Sequence, residues 1–283
     1  MNSEELIYKG SNKLKKSKVK SHLIDSELIL SSILKKNKES LIINSDYVVQ
    51  SSTIKHFNNL IERRAKKKEP IAYILKKKEF WNSSIFIDKN VLIPRPETEL
   101  LVEKVIAINK KKNPLILDIG TGSGCIIISL LEEIKNARGV AIDISNRALK
   151  IAKKNSLINK TYNRIKFLNQ SINSFMKYKF DIIVSNPPYI KRHQIKNLAD
   201  DIKFFEPKIA LDGGNDGLDV MRKVIYKSRK ILKINGLLGL EIGFGQYKKV
   251  SQILKFYKFR ENFLIKDYCN NIRCILATNT NPY

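Results

Sequence analysis

Cysteine, histidine and tryptophan are nearly absent from this sequence, and acidic residues are outnumbered about two to one by basic ones. The three cysteines, Cys125, Cys269 and Cys274, form no paired framework. That excludes a disulfide scaffold and fits a reducing cytoplasm. His22, His56 and His193 stand alone. With no Cys/His cluster at ligand spacing, no metal site is expected. Apolar runs all fall short of the ~18 residues that a membrane span needs. The opening Met1-Asn2-Ser3-Glu4-Glu5 lacks a basic region followed by an apolar stretch, so no secretory signal is expected.

What the chain has in excess is lysine. Its 283 residues carry a formal net charge of +26. Two readings compete. One is contact with nucleic acid or the ribosome. The other is compositional drift, since lysine, asparagine and isoleucine recur everywhere. The lysines are scattered (Lys15-Lys16, Lys66-Lys67-Lys68, Lys110-Lys111-Lys112) with no interleaved arginine and aromatic residues, which favours drift. At 43% hydrophobic residues, the length suffices for one large domain, or for a medium one plus a small one.

Residues 1 to about 75 read as helical. Ser21 or Asp25 caps a helix through Leu34 with an imperfect stripe of Ile24, Leu28, Leu30, Ile33 and Leu34. Ile54, Phe57, Leu60 and Ile61 share one face of another helix, with Arg63-Arg64 near its end. Ile71 to Leu75 follows Pro70 as a short helix. Packing accounts for this whole region. Phe80-Trp81 and Ile85-Phe86-Ile87 then read as two strands around Asn82-Ser83-Ser84. The prolines of Leu92-Ile93-Pro94-Arg95-Pro96 fix an extended stretch before a helix to about Ile108.

From Leu115 the pattern becomes strand, loop, helix, repeated. Strands are expected at 115–117, 140–143, 165–168, 180–184 and 236–241. Helices are expected at 126–134, 146–155, 216–232 and 246–256, and a strand pair at 261–265 and 273–277. Such alternation implies a mostly parallel sheet covered by helices on both faces.

Two stretches carry the chemistry. The first is Ser185-Asn186-Pro187-Pro188-Tyr189, where prolines end the buried strand Phe180 to Val184. Asn186 therefore sits at a carboxyl end, where open α/β sheets bind ligands. The turn is rigid and rich in carbonyl acceptors, and Tyr189 adds an aromatic face. It suits a planar NH2 group whose two hydrogens are taken by carbonyls. The second is Asp118-Ile119-Gly120-Thr121-Gly122-Ser123-Gly124 between a strand and a helix. Its third glycine comes two residues after the second, one short of the dinucleotide fingerprint. Asp118 disfavours phosphate and suits a cation, and Asp143 is placed to accept from both hydroxyls of a ribose. A ligand with an adenosine and a positively charged amino acid part fits, namely S-adenosylmethionine.

With Glu69-Pro70-Ile71-Ala72, Glu79-Phe80-Trp81, Leu92 to Glu99, Asp118 to Gly124, Asp143, Ser185 to Tyr189 and Phe205-Glu206-Pro207, the chain resembles the HemK/PrmC-type glutamine methyltransferases of peptide-chain release factors over nearly its whole length. The resemblance implies an α/β, class I (Rossmann-like) methyltransferase fold. Its sheet would be seven-stranded and mostly parallel with the last strand antiparallel, beside a small N-terminal helical bundle and a β-hairpin linker. The domains would be a helical substrate-recognition domain at 1–76, the linker at 77–95, and the S-adenosylmethionine-dependent methyltransferase domain at 96–283. Gly120, Thr121, Gly122, Ser123, Gly124, Asp143, Ser171 and Asn186 would hold the cofactor. Asn186, Pro187, Pro188 and Tyr189 would clamp the substrate glutamine of a Gly-Gly-Gln loop, with Asn186, Pro187 and Tyr189 as the catalytic groups. The family's acidic and bulky residues near the adenine are replaced here by Gln170 and Ser171. The partners implied are cytoplasmic class I release factors, with neither membrane nor nucleic acid required. The alternative is an adenine amino-methyltransferase of DNA or RNA, which shares this kind of turn but needs a base-reading region. A non-catalytic RNA- or ribosome-binding protein is a further reading, at odds with an intact glycine loop.

Overall fold

The computed structural model describes residues 1–44, 46–175 and 179–280. They form two compact units: Met1–Lys76 with Ala199–Phe205, and Lys77–Leu198 with 206–280. The hairpin read as a linker thus groups with the larger unit, while a short internal segment groups with the smaller.

The first unit contains α1 (Ser3–Lys16), α2 (His22–Leu34), α3 (Lys38–Ile43), α4 (Ser51–Lys67) and α5 (Ile71–Leu75). A capping box starts α1: the Asn2 side chain accepts from Glu5 N at 2.8 Å, and the Glu5 carboxylate accepts from Asn2 N at 3.2 Å. Phe57, Leu60 and Ile61 of α4 turn inward onto Leu6, Leu14, Ile29 and Leu30, as their helical spacing requires. On α2 the buried residues are Ile29 and Leu30, whereas Ile24 is exposed. Asp25 caps nothing. It is buried, and its carboxylate accepts from Arg64 Nε at 2.8 Å.

The second unit opens with β1 (Lys77–Phe80) and β2 (Ser83–Phe86), an antiparallel hairpin. It continues through α6 (Pro96–Ile108), β3 (Leu115–Ile119), α7 (Cys125–Glu133), β4 (Arg138–Asp143), α8 (Asn146–Ile158), β5 (Ile165–Asn169) and β6 (Phe180–Ser185). The chain then supplies α9 (Asp200–Phe205) to the first unit. It returns with α10 (Asp219–Ile231), β7 (Leu232–Glu241), α11 (Tyr247–Phe256), β8 (Phe259–Lys266) and β9 (Ile272–Asn279).

Seven strands make one sheet in the order β5-β4-β3-β6-β7-β9-β8. Strands β3 to β7 run parallel, and β9 lies antiparallel between β7 and β8. This is the expected α/β methyltransferase architecture. Both faces of β6 are covered, so every one of its residues is buried, and its sequence is apolar but for Asp181, which accepts from Leu115 N and pairs with Lys233, and the closing Ser185. After β3 the chain fills one side of the sheet, then crosses to β6 on the other. The crevice that this reversal opens at the carboxyl ends of β3 and β6 is where doubly wound sheets hold ligands.

Several boundaries differ from the sequence reading by a few residues, among them the hairpin, whose strands are Lys77–Phe80 and Ser83–Phe86, and two differences have a visible cause. Trp81 is not in a strand: it sits in the hairpin turn with φ +53°. Its indole N–H and the Asn82 amide both donate to Glu133 on α7, at 2.8 and 3.0 Å, which compensates for the left-handed backbone. Strand β7 starts at Leu232, four residues before Gly236, and its early part is the exposed Lys233-Ile234-Asn235. Among the described residues no helix is long and apolar enough to cross a membrane.

Candidate active site

The carboxyl ends of β3, β4, β5 and β6 converge on a cavity of about 450 Å³, a volume usual for small-ligand sites. Gly120 to Ser123 line it after β3, Asp143 to Ser145 after β4, Gln170 to Asn173 after β5, and Asn186 with Pro188 after β6. Leu92, Pro94 and Arg95 close another side.

The glycine loop is fixed from below. Thr121 Oγ1 donates to Asp118 Oδ2 at 2.6 Å, and Gly120 N and Thr121 N both donate to the Ile142 carbonyl, at 2.9 and 3.1 Å. Gly120 has φ +71°, and nothing lies within 4 Å of where a Cβ would project, so the backbone itself forms the cavity wall there. Gly124, at φ +83°, does not line the cavity. A Cβ there would press on Ile128 and Ala152, at 3.1 and 3.2 Å, so this glycine lets α7 pack closely on α8. Asp118 lies under the loop, fully buried and away from the cavity lining. Burial pushes its carboxyl up to about 7, and its Oδ1 has no partner.

Asp143 ends β4 facing the cavity. Its Oδ2 accepts from Gly122 N at 2.9 Å and its Oδ1 from Ser145 N at 2.8 Å, while burial raises its pKa above the ordinary value. Each oxygen keeps a second lone pair for a ligand. Ser171 lines the cavity too, but its hydroxyl accepts from Asn173 N at 3.2 Å and starts a short turn.

Alternate residues of the Asn-Pro-Pro-Tyr turn face the cavity. Asn186 and Pro188 line the cavity, whereas Pro187 is buried and Tyr189 points behind the turn. The Tyr189 hydroxyl donates to Glu241 Oε1 at 3.3 Å and accepts from Arg273 Nη2 at 3.2 Å. Burial, then the Glu241 charge, push it up to about 12. Asn186 Nδ2 donates to Thr98 Oγ1 at 3.2 Å, and Thr98 Oγ1 donates to Glu241 Oε2 at 2.5 Å.

Glu241 and Thr98 are residues that sequence reasoning missed as functional. A signal existed for Glu241: it is an acid closing the apolar strand end Leu237-Leu238-Gly239-Leu240, the pattern that singles out Asp143. Arg95 lines the cavity and donates from Nη2 to Glu206 Oε1 at 2.5 Å, so the Pro-Arg-Pro and Phe-Glu-Pro segments meet.

Comparison with known proteins gives concordant matches. Residues 95–256 match the family model "Methyltransferase small domain", and residues 5–75 match "PrmC N-terminal domain". A release factor glutamine methyltransferase from Clostridium acetobutylicum is 38% identical over 98% of this chain and 98% of its own length. One from Buchnera aphidicola is 39% identical, again over 98% of each chain. Among solved structures, a methyltransferase from Pyrococcus furiosus superposes with a TM-score of 0.55 at 15% identity, covering 72% of this chain and 92% of that one. At that identity the likeness speaks for the fold alone.

Proposed function

The chain belongs to the release factor glutamine methyltransferases, and from that premise we propose that it transfers a methyl group from S-adenosylmethionine to the side-chain amide nitrogen of the glutamine in the Gly-Gly-Gln loop of class I release factors, in the cytoplasm. The observation that carries this reading is Asn186. It stands at the carboxyl end of β6 with its amide held by Thr98, and it opens onto the same cavity as the glycine loop and Asp143.

The residues present fit the cofactor. The open backbone at Gly120 leaves room for close approach, and Asp143 offers two oxygens at the cavity wall. Asp118 lies beneath the loop with Oδ1 unpartnered, and a cation above it would favour its ionised form. Ile144 and Ile172 supply apolar wall for a flat base beside Gln170 and Ser171. When bound, S-adenosylmethionine supplies a methyl group made electrophilic by the sulfonium.

The protein's part is then orientation. Asn186 Oδ1 and the Pro187 carbonyl accept the two hydrogens of the substrate NH2, which draws electron density onto a nitrogen otherwise delocalised into its carbonyl. Pro188 bounds the slot, and Tyr189 braces the turn from behind through Glu241 and Arg273. Fixing the nitrogen in line supplies most of the acceleration. The 1–76 region serves substrate recognition.

The test is transfer of radiolabel from S-adenosylmethionine to purified release factor, with tRNA, rRNA and DNA as parallel acceptors. Label on the release factor, lost when its Gly-Gly-Gln glutamine is replaced, is the expected result. Label on nucleic acid alone overturns the reading in favour of an adenine amino-methyltransferase.

A further inference from the structure

Every hydrogen bond in the cluster behind Asn186 runs toward one residue. Asn186 Nδ2 donates to Thr98 and Thr98 to Glu241 Oε2; from the other side Arg273 donates to Tyr189 and Tyr189 to Glu241 Oε1. Glu241 is fully buried, and Thr98 is nearly so. An ionised carboxylate only accepts, and a threonine hydroxyl has one proton. If Glu241 takes that proton, Thr98 faces Asn186 with lone pairs alone, so only the NH2 side of the Asn186 amide can turn toward it.

We propose that Glu241 is a positioning residue that sets the direction of this chain, so that the Asn186 carbonyl oxygen is left facing the cavity to accept from the substrate NH2. The inference rests on the glutamine-methylating reading above and adds to it a residue outside the Asn-Pro-Pro-Tyr turn. Protonating Glu241 allows the reverse order: the carboxyl donates to Thr98, Thr98 donates to Asn186 Oδ1, and the amide turns over. Asn186 then presents a donor to a donor, and the substrate loses its acceptor.

Several groups face Glu241. Thr98 and Glu97 come from α6, Tyr189 from the turn after β6, Arg273 and Cys274 from β9, and the Cys125 thiol from the start of α7. Burial pushes the Glu241 carboxyl up to about 6, the Thr98 hydrogen bond and the Arg273 charge oppose that, and Glu97 adds to it. A switch in hydrogen-bond direction therefore falls within reach of ordinary assay pH.

The experiment measures kcat and KM for methyl transfer to release factor from about pH 5.5 to pH 8.5 in wild type, Glu241→Gln, Thr98→Val and Thr98→Ser. Calorimetric affinity for S-adenosylmethionine and melting temperature serve as readouts independent of turnover. Wild-type kcat is expected to fall below about pH 6, approaching tenfold per unit. Glu241→Gln and Thr98→Val should lower kcat at pH 8 by roughly 10²-fold and flatten the acid limb, with cofactor affinity and KM little changed. Thr98→Ser, which keeps the hydroxyl, should recover most of what the valine loses, together with the limb. If the glutamine variant fails to fold, the valine and serine pair decides. Wild-type kcat in Glu241→Gln or Thr98→Val, or an acid limb that survives in either, overturns the proposal. A wild-type protein that labels no release factor removes the function reading and this inference with it. Wild-type labelling with an unaltered limb in the variants removes the inference alone.

Discussion

Asn186 is only half-buried, and its side chain hydrogen-bonds to Thr98 and to no other of the described residues. Replacing it with alanine should therefore leave the melting temperature nearly unchanged while methyl transfer falls by at least ~10²-fold. Full activity in Asn186→Ala would refute its role. Asp118 is the opposite kind of residue, fully buried beneath the glycine loop and outside the cavity lining. Its carboxyl, pushed up to about 7 by burial, ionises near pH 4 in the unfolded chain, so folding takes up a proton between those values. Its contribution to stability is full below about pH 4 and is lost as pH rises to 7, at up to about 1.4 kcal/mol per unit. Asp118→Asn removes that slope. Its melting temperature relative to wild type, measured without cofactor, should climb between about pH 5 and pH 8, and a flat difference sinks the account. At this scale the sequence is informative where one residue type in one local setting names a task. The glycine loop, Asp143 and Asn186 are of that kind. Thr98 with Glu241, and Arg95 with Glu206, are not: their partners lie 143 and 111 residues apart, and no local pattern pairs them.

The hairpin β1–β2, α8 and the glycine loop act as one assembly through Asn155. This fully buried side chain accepts from Phe86 N at 2.8 Å and donates to the carbonyls of Phe86 and Ser123, at 2.9 and 2.8 Å. Asn155→Ala strands three backbone groups, at a cost of about 3 kcal/mol. Thermal unfolding should shift down by roughly 5–10 °C. Cofactor affinity should weaken as well, because Ser123 belongs to the loop. A variant with normal affinity would separate the hairpin clasp from the cavity. Strand and helix order were legible because burial on both faces writes β3, β4 and β6 as mostly apolar runs, with turn residues between them. Element edges were less so. The tip at Trp81 depends on Glu133 from a distant helix, and the exposed start of β7 carries no buried strand run of its own.

Across the whole molecule, the net charge of +26 comes from lysines scattered along the sequence. Several lysines lie over the protein's own aromatic rings, among them Lys36 over Tyr47, Lys104 over Phe263 and Lys154 over Phe86. Such placement is ordinary surface cover, and kcat/KM for release factor should change less than about threefold between low and physiological salt. A steep decline would assign the lysines to substrate attraction. The sheet carries a different consequence. Strand β9 leaves the ribosome after β8, yet β8 joins the sheet only through β9, which lies between it and β7. A nascent chain that has reached Lys266 consequently owns a strand with nowhere to dock, and β7 shows a bare edge until the closing segment is woven in. Completion of the sheet is thus a late event in the life of each molecule, and chains stopped short of Ile272 should be prone to clump.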